Sequence, residues 1–283
     1  MYYIQSCYMD ILKKERFGSF DITYRQGLID PSAVMNQFVN PHNIIKKGRG
    51  EIKILLAGDG LLVCRKYIHG GLFRGIAGDT FYSKRRAAAE LETMMFLEEN
   101  SFPVVRPCGY ITKRNLSTKE LYLLTFFEEN AIDFLEFLKS AHRKKRLQTI
   151  KNLARLFFQM GKLGVYHPDL HLQNVLVTQE GGLTLLDFDS ACRKVVTKND
   201  MESMLWRINR FTEKKEKSGE LAVTIEEKTL FLRTIERLSG YHLIEDMQKQ
   251  LKGKRLSYKL GWYLESLFYG KQNRKVKNQS PTQ

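Results

Sequence analysis

Within residues 166–189, Y-H-P-D-L-H-L-Q-N-V-L-V-T-Q-E-G-G-L-T-L-L-D-F-D, three residue types stand at a spacing that can do chemistry: His167, Asp169 and Asn174. An aspartate followed five residues later by an asparagine, then a hairpin closing on Asp187-Phe188-Asp189, suits phosphoryl transfer. Asp169 would accept the proton of an attacking hydroxyl. Asn174 and Asp187 would hold a divalent metal bridging the phosphates of a nucleotide. His167 reads as a brace for the loop, and Asp189 as either an aid to the metal or an anchor for the loop.

These groups need elements to bring them together. Val175, Leu176 and Val177 make an apolar strand, 179–182 supply turn residues, and 183–186 make a second strand. That hairpin sets Asn174 and Asp187 at adjoining strand ends. A helix over 147–163, with Ile150, Leu153, Phe157 and Met160 on one face, delivers the chain to the loop, where Pro168 excludes helix. Helices over 199–211 and 228–238 follow.

Upstream, Gly48-Arg49-Gly50 opens a strand that turns at Gly58-Asp59-Gly60 into a second strand ending at Tyr67. Glycine lets a backbone approach phosphates that a Cβ would hold away, so Gly48 and Gly50 are candidate nucleotide-binding positions, although Gly-x-Gly before a strand is more often a plain turn. Strand alternation puts Leu61, Val63, Arg65 and Tyr67 on one face and Leu62, Cys64 and Lys66 on the other. Arg65 and Lys66 are therefore exclusive candidates for the phosphate-facing cation, unless both stay at the surface. A helix over 84–100 carries Ala87, Leu91, Met94 and Leu97 at helical spacing, with Glu90 on the same stripe. A carboxylate on an apolar face is costly unless a cation meets it, and the strand's basic residue is the expected partner. Asp30-Pro31 starts a short helix. A short strand lies between Pro103 and Pro107, a longer one over 120–127, and 128–130 link the two halves.

The formal charge of +15 over 283 residues favours polyanionic partners, and basic residues gather at 142–146, 252–259 and 271–277. With no nucleic-acid motif present, an anionic lipid surface is the expected partner rather than DNA or RNA. Cys7, Cys64, Cys108 and Cys192 are scattered without C-x-x-C spacing, which implies reduced thiols. No signal peptide is read at the start, and no apolar run reaches the ~18–20 residues that cross a bilayer. The aromatic segment 251–270 either caps the core or lies against a membrane.

The chain resembles the bacterial lipopolysaccharide-core kinases, most closely the 3-deoxy-D-manno-octulosonic acid (Kdo) kinase group. The resemblance rests on G-R-G (48–50), V-C-R-K-Y-I-H-G-G-L (63–72), A-E-L (89–91), H-P-D-L-H-L-Q-N (167–174) and L-L-D-F-D (185–189). It implies an α+β, protein-kinase-like bilobal fold, with a small mostly-β lobe containing one helix and a larger mostly-α lobe. The expected divisions are an N-terminal extension (1–40), a nucleotide-covering lobe (41–127), a helical catalytic lobe (128–270) and a disordered basic tail (271–283). It implies ATP and Mg²⁺ as cofactors, Asp169 as the catalytic base, Asn174 and Asp187 as metal ligands, and Arg65 ahead of Lys66, paired with Glu90. The implied acceptor is Kdo on lipid A, an anionic glycolipid met at the cytoplasmic face of the bacterial inner membrane. Ser190-Ala191-Cys192-Arg193 and Ile68-His69 depart from the family pattern near the acceptor side, which leaves heptose, a small molecule or a protein as alternative acceptors. A catalytically silent nucleotide-binding scaffold at a membrane is the reading from another class.

Overall fold

The structure is a computed structural model and describes residues 11–41, 43–47, 50–58, 60–69 and 79–245. A seven-stranded antiparallel sheet forms one lobe, with strands β1 (Leu12–Phe17), β2 (Phe20–Arg25), β3 (Asn43–Lys47), β4 (Gly50–Ala57), β5 (Gly60–Lys66), β6 (Pro107–Arg114) and β7 (Lys119–Phe126) in the order β1-β2-β6-β7-β5-β4-β3. The period-2 pattern of these strands feeds two different cores. Leu62, Cys64, Tyr122 and Leu124 pack with Ile22, Val34 and Phe38 against helix α1 (Pro31–Val39) on one face of the sheet. Tyr67, Leu121 and Leu123 face the other way, toward helix α2 (Arg85–Glu99).

The helix expected after Asp30 begins there: the Asp30 side chain accepts a hydrogen bond from Ser32 N–H, and Pro31 occupies the first turn. Residues 12–40, within the N-terminal extension expected over 1–40, supply two strands of the same sheet and the helix on its back. We therefore propose that the small lobe starts near Ile11 rather than at residue 41. Gly109 explains how β2 can lie so close to β6. A Cβ there would stand 2.2 Å from the Thr23 carbonyl oxygen, at a point where the register shifts. The short strand expected between Pro103 and Pro107 is a single parallel bridge from Val104 to Leu185, and β6 begins only at Pro107.

The second lobe is mostly helical: α3 (Phe134–Ser140), α4 (Arg143–Lys162), α5 (Lys198–Lys217) and α6 (Ile225–Ser239). Small strands accompany them: β8 (Ala131–Asp133), β9 (Val165–Tyr166), β10 (Val175–Thr178), β11 (Leu183–Leu185) and β12 (Cys192–Arg193). Strong N-caps fix the helix starts, Asp133 for α3 and capping boxes at Thr197 for α5 and Thr224 for α6. The buried residues of α2 belong to one continuous cluster with those of α3, α4 and α5, so this helix is packed into both lobes.

The basic run 142–146 lies in the first turn of α4, one turn before the start expected at 147. Cations there oppose the helix dipole. The first turn of α6 compensates: Glu226 takes Arg143 at 2.6 Å, and the nearly buried Glu227 takes Arg146 at 2.6 Å. Two of the charges expected to meet an outside polyanion thus serve helix packing. Among the described residues no helix is long and apolar enough to cross a membrane. The segments 251–270 and 271–283, with two of the basic runs, lie outside the described residues.

Candidate active site

The loop between β9 and β10 holds the first group. His167 is fully buried against the Phe188 ring, with centroids 5.2 Å apart. Burial pushes its pKa down to about 4, against the pull of the Asp187 and Asp169 charges, so it is neutral at pH 7. A group so placed braces the loop and exchanges no protons near neutrality. Two residues on, the Asp169 side chain is 59% exposed. A single 3₁₀ turn (Leu172–Asn174) then buries Asn174.

The β10–β11 hairpin forms as expected, with Val175 opposite Leu185. Leu186 N–H donates to the Asn174 carbonyl at 3.0 Å, which sets Asp187 beside Asn174. Asp187 has φ +67°, a left-handed conformation that costs free energy for a residue with a Cβ and that concentrates at functional sites. Its carboxylate turns toward Arg65, with Nη1 to Oδ1 at 3.3 Å.

Arg65 joins the two lobes. Its Nη2 reaches both oxygens of Glu90, at 2.7 and 2.9 Å, while Nη1 meets Asp187. Glu90 also accepts the Tyr67 hydroxyl at 2.5 Å and the Phe188 N–H at 3.0 Å. Burial lifts the Glu90 pKa to about 7, and Arg65 and the Tyr67 hydroxyl oppose the rise. Burial also works against the Arg65 charge, yet Glu90 and Asp187 outweigh it and its pKa rises. Above about pH 7 the donors around Glu90 hold it as the anion, paired with Arg65. Lys66 sits on the opposite face of β5, 3.1 Å from Glu120 and 3.8 Å from Asp79. Gly50 opens β4 opposite Lys47, and Gly48 lies outside the described residues.

Three neighbours of this site were not singled out from the sequence. Tyr67 is the second hydrogen-bond donor to Glu90, and its place on the Arg65 face of the strand was a usable signal. Arg86 grips Asp189 with two hydrogen bonds, one from Nε at 2.5 Å, and donates to the Ile68 carbonyl. Asp189 is thus an anchor to α2. Arg86 precedes Glu90 by one helical turn, so it shares the same stripe. Arg207 on α5 donates from Nε to Asp169 at 2.6 Å, and nothing in its sequence neighbourhood marks it.

Chemically, the arrangement pairs an exposed carboxylate with an oxygen donor set a short distance along the chain. The Asp187 carboxylate and the Asn174 amide oxygen are hard donors of the kind that suit Mg²⁺, which takes one or two carboxylates and completes its shell from substrate phosphates and water. Among the described residues no three His, Cys, Asp or Glu side chains gather into a metal cage.

A family model for the lipopolysaccharide kinase (Kdo/WaaP) family matches residues 45–231. This chain belongs to that family. Curated relatives named 3-deoxy-D-manno-octulosonic acid kinase include one from Stenotrophomonas maltophilia (strain K279a), 26% identical over 76% of this chain and 78% of that protein. Another is from Xanthomonas oryzae pv. oryzae (strain PXO99A), 25% identical over 77% and 78%. A third, from Vibrio parahaemolyticus, is 26% identical over 46% of this chain and 55% of its own. As a lipopolysaccharide kinase, the protein is a phosphotransferase that uses ATP and acts on a sugar hydroxyl. Its sheet lobe and helical lobe are the kinase-like α+β fold expected from the sequence.

Proposed function

We propose that this lipopolysaccharide kinase transfers the γ-phosphoryl group of ATP to a hydroxyl of Kdo on the lipid A-linked inner core. The observation that carries the reading is the meeting of Arg65, Glu90 and Asp187 across the lobes, with Asp169 exposed on the loop beside them. Asp169 orients the acceptor hydroxyl and takes its proton, a contribution worth ~10²–10⁴ in rate. Arg65 meets charge on the phosphates, kept in place by Glu90 from one side, and Gly48 and Gly50 are the candidate positions where backbone approaches the phosphates. Asp187 and Asn174 would hold Mg²⁺, which neutralises phosphate charge when bound. Lys66, turned toward Glu120, has no part in this assignment.

The net charge of +15 fits a substrate carried in an anionic membrane, and we place the enzyme at the cytoplasmic face of the bacterial inner membrane. The test is mass spectrometry of Kdo–lipid A after incubation with the protein and Mg²⁺-ATP. The expected result is a gain of one phosphate on the Kdo fragment. Unchanged Kdo–lipid A, with phosphate gained by a heptose-bearing acceptor instead, would overturn the choice of acceptor.

A further inference from the structure

Arg207 reaches Asp169 from α5, in the helical lobe, through one nitrogen. Nε donates to Oδ1 at 2.6 Å, and no other hydrogen bond or ion pair engages either side chain among the described residues. Arg207 is 30% exposed and Asp169 59% exposed, so the pair stands in water-accessible space, where such a contact adds little to stability. The Arg207 fork keeps its Nη groups unengaged, and Asp169 keeps Oδ2. Beneath the pair, His171 stacks on Phe211 with centroids 4.5 Å apart, and Phe211 lies one helical turn beyond Arg207 on α5.

A carboxylate oxygen that accepts a guanidinium hydrogen bond is not open to an incoming hydroxyl. The acceptor hydroxyl must nonetheless come within about 3 Å of Asp169 to lose its proton there. Any anionic group a few bonds from that hydroxyl then arrives within reach of the Arg207 fork, whose planar donors match a carboxylate bidentately. The sugar named in the relatives is an acid and carries such a group.

Resting on the acceptor reading above, we propose that Arg207 is a specificity-determining residue that binds the carboxylate of the acceptor sugar. In the resting protein it holds Asp169. When the acceptor enters, its carboxylate takes the guanidinium, and Asp169 is released to the hydroxyl. The phosphorylated product keeps the same carboxylate, so the pair re-forms only after product leaves.

The experiment compares wild type with Arg207→Ala and Arg207→Lys, using Kdo–lipid A and its Kdo methyl ester as acceptors and following KM and kcat for each substrate. The expected result is an acceptor KM raised roughly 10- to 100-fold in Arg207→Ala, the loss of one charge-assisted contact, with the KM for ATP unchanged. Arg207→Lys should recover only part of this. Wild type should prefer the free acid over the ester by a similar factor, and Arg207→Ala should not. Thermal unfolding within about 2 °C of wild type would set aside a folding defect. Equal discrimination between acid and ester by wild type and variant overturns the assignment. So does a rise confined to the KM for ATP, which would place Arg207 on the phosphates. Absence of any transfer by the wild type overturns the acceptor reading and this one together, whereas transfer without discrimination overturns this one alone.

Discussion

Glu90 is a carboxylate with 1% of its surface exposed, and it survives there because Arg65, Tyr67 and the Phe188 amide all donate to it. Glu90→Ala should therefore cost roughly 3–5 kcal/mol in denaturant unfolding, the penalty for breaking a buried pair from one side. His167 titrates in the opposite sense to Glu90. Its folded pKa is lowered to about 4, so its contribution to stability is present above pH 6.5 and is lost as pH falls through 4. Glu90 has a folded pKa raised to about 7, so its contribution is fully present below 4.5 and is lost as pH rises through 7. The two oppose each other in the same window, and only a difference between variants separates them. His167→Gln should flatten the acid loss of stability between pH 6.5 and 4 by roughly 3 kcal/mol relative to wild type, read from unfolding at each pH.

At the scale of elements, α2 is fastened to the Asp187–Asp189 segment at two points one helical turn apart, Arg86 to Asp189 and Glu90 to the Phe188 amide. Arg86→Ala releases one of them and leaves the Arg65–Glu90 pair in place. Small displacements of Asp187 follow, and kcat should fall up to about 100-fold with little change in the KM for ATP, while amide exchange in α2 quickens. Gly109 controls a different contact. Gly109→Ala drives a Cβ into the Thr23 carbonyl, and loss of about 3 kcal/mol should accompany separation of β2 from β6, visible in the melting temperature.

For the whole molecule, the net charge of +15 is unevenly committed. Arg143 and Arg146 are occupied by Glu226 and Glu227, which takes two of the four Lys and Arg of the 142–146 run out of the argument for an outside partner. For the anionic surface proposed above, the runs at 252–259 and 271–277 are the remaining concentrations of basic residues in the sequence. Replacing Lys252, Lys254, Arg255 and Lys259 with Gln should weaken sedimentation with anionic vesicles by about 1 kcal/mol per charge removed, and added salt should weaken the wild type in the same direction.

By itself the sequence determined the loop, the hairpin and the Glu90 stripe, because each is written in local spacing: Asp169 to Asn174, Val175 to Leu186, and Ala87 to Leu97 at helical period. The same locality made Arg65 and Lys66 indistinguishable as cations, since alternation says that they face apart and not which face meets α2. Sheet order settled it, by placing Leu62 and Cys64 against α1 and so turning Arg65 toward Glu90. Residues 12–25 had no legible period because β1 is an edge strand with no buried residue, paired only with β2, and β2 buries Ile22, Thr23 and Tyr24 in succession. Tertiary structure alone brought Arg86 to Asp189 across 103 residues and Arg207 to Asp169 across 38. Charges that distant are paired by packing of whole elements, and no periodicity within either segment encodes the meeting.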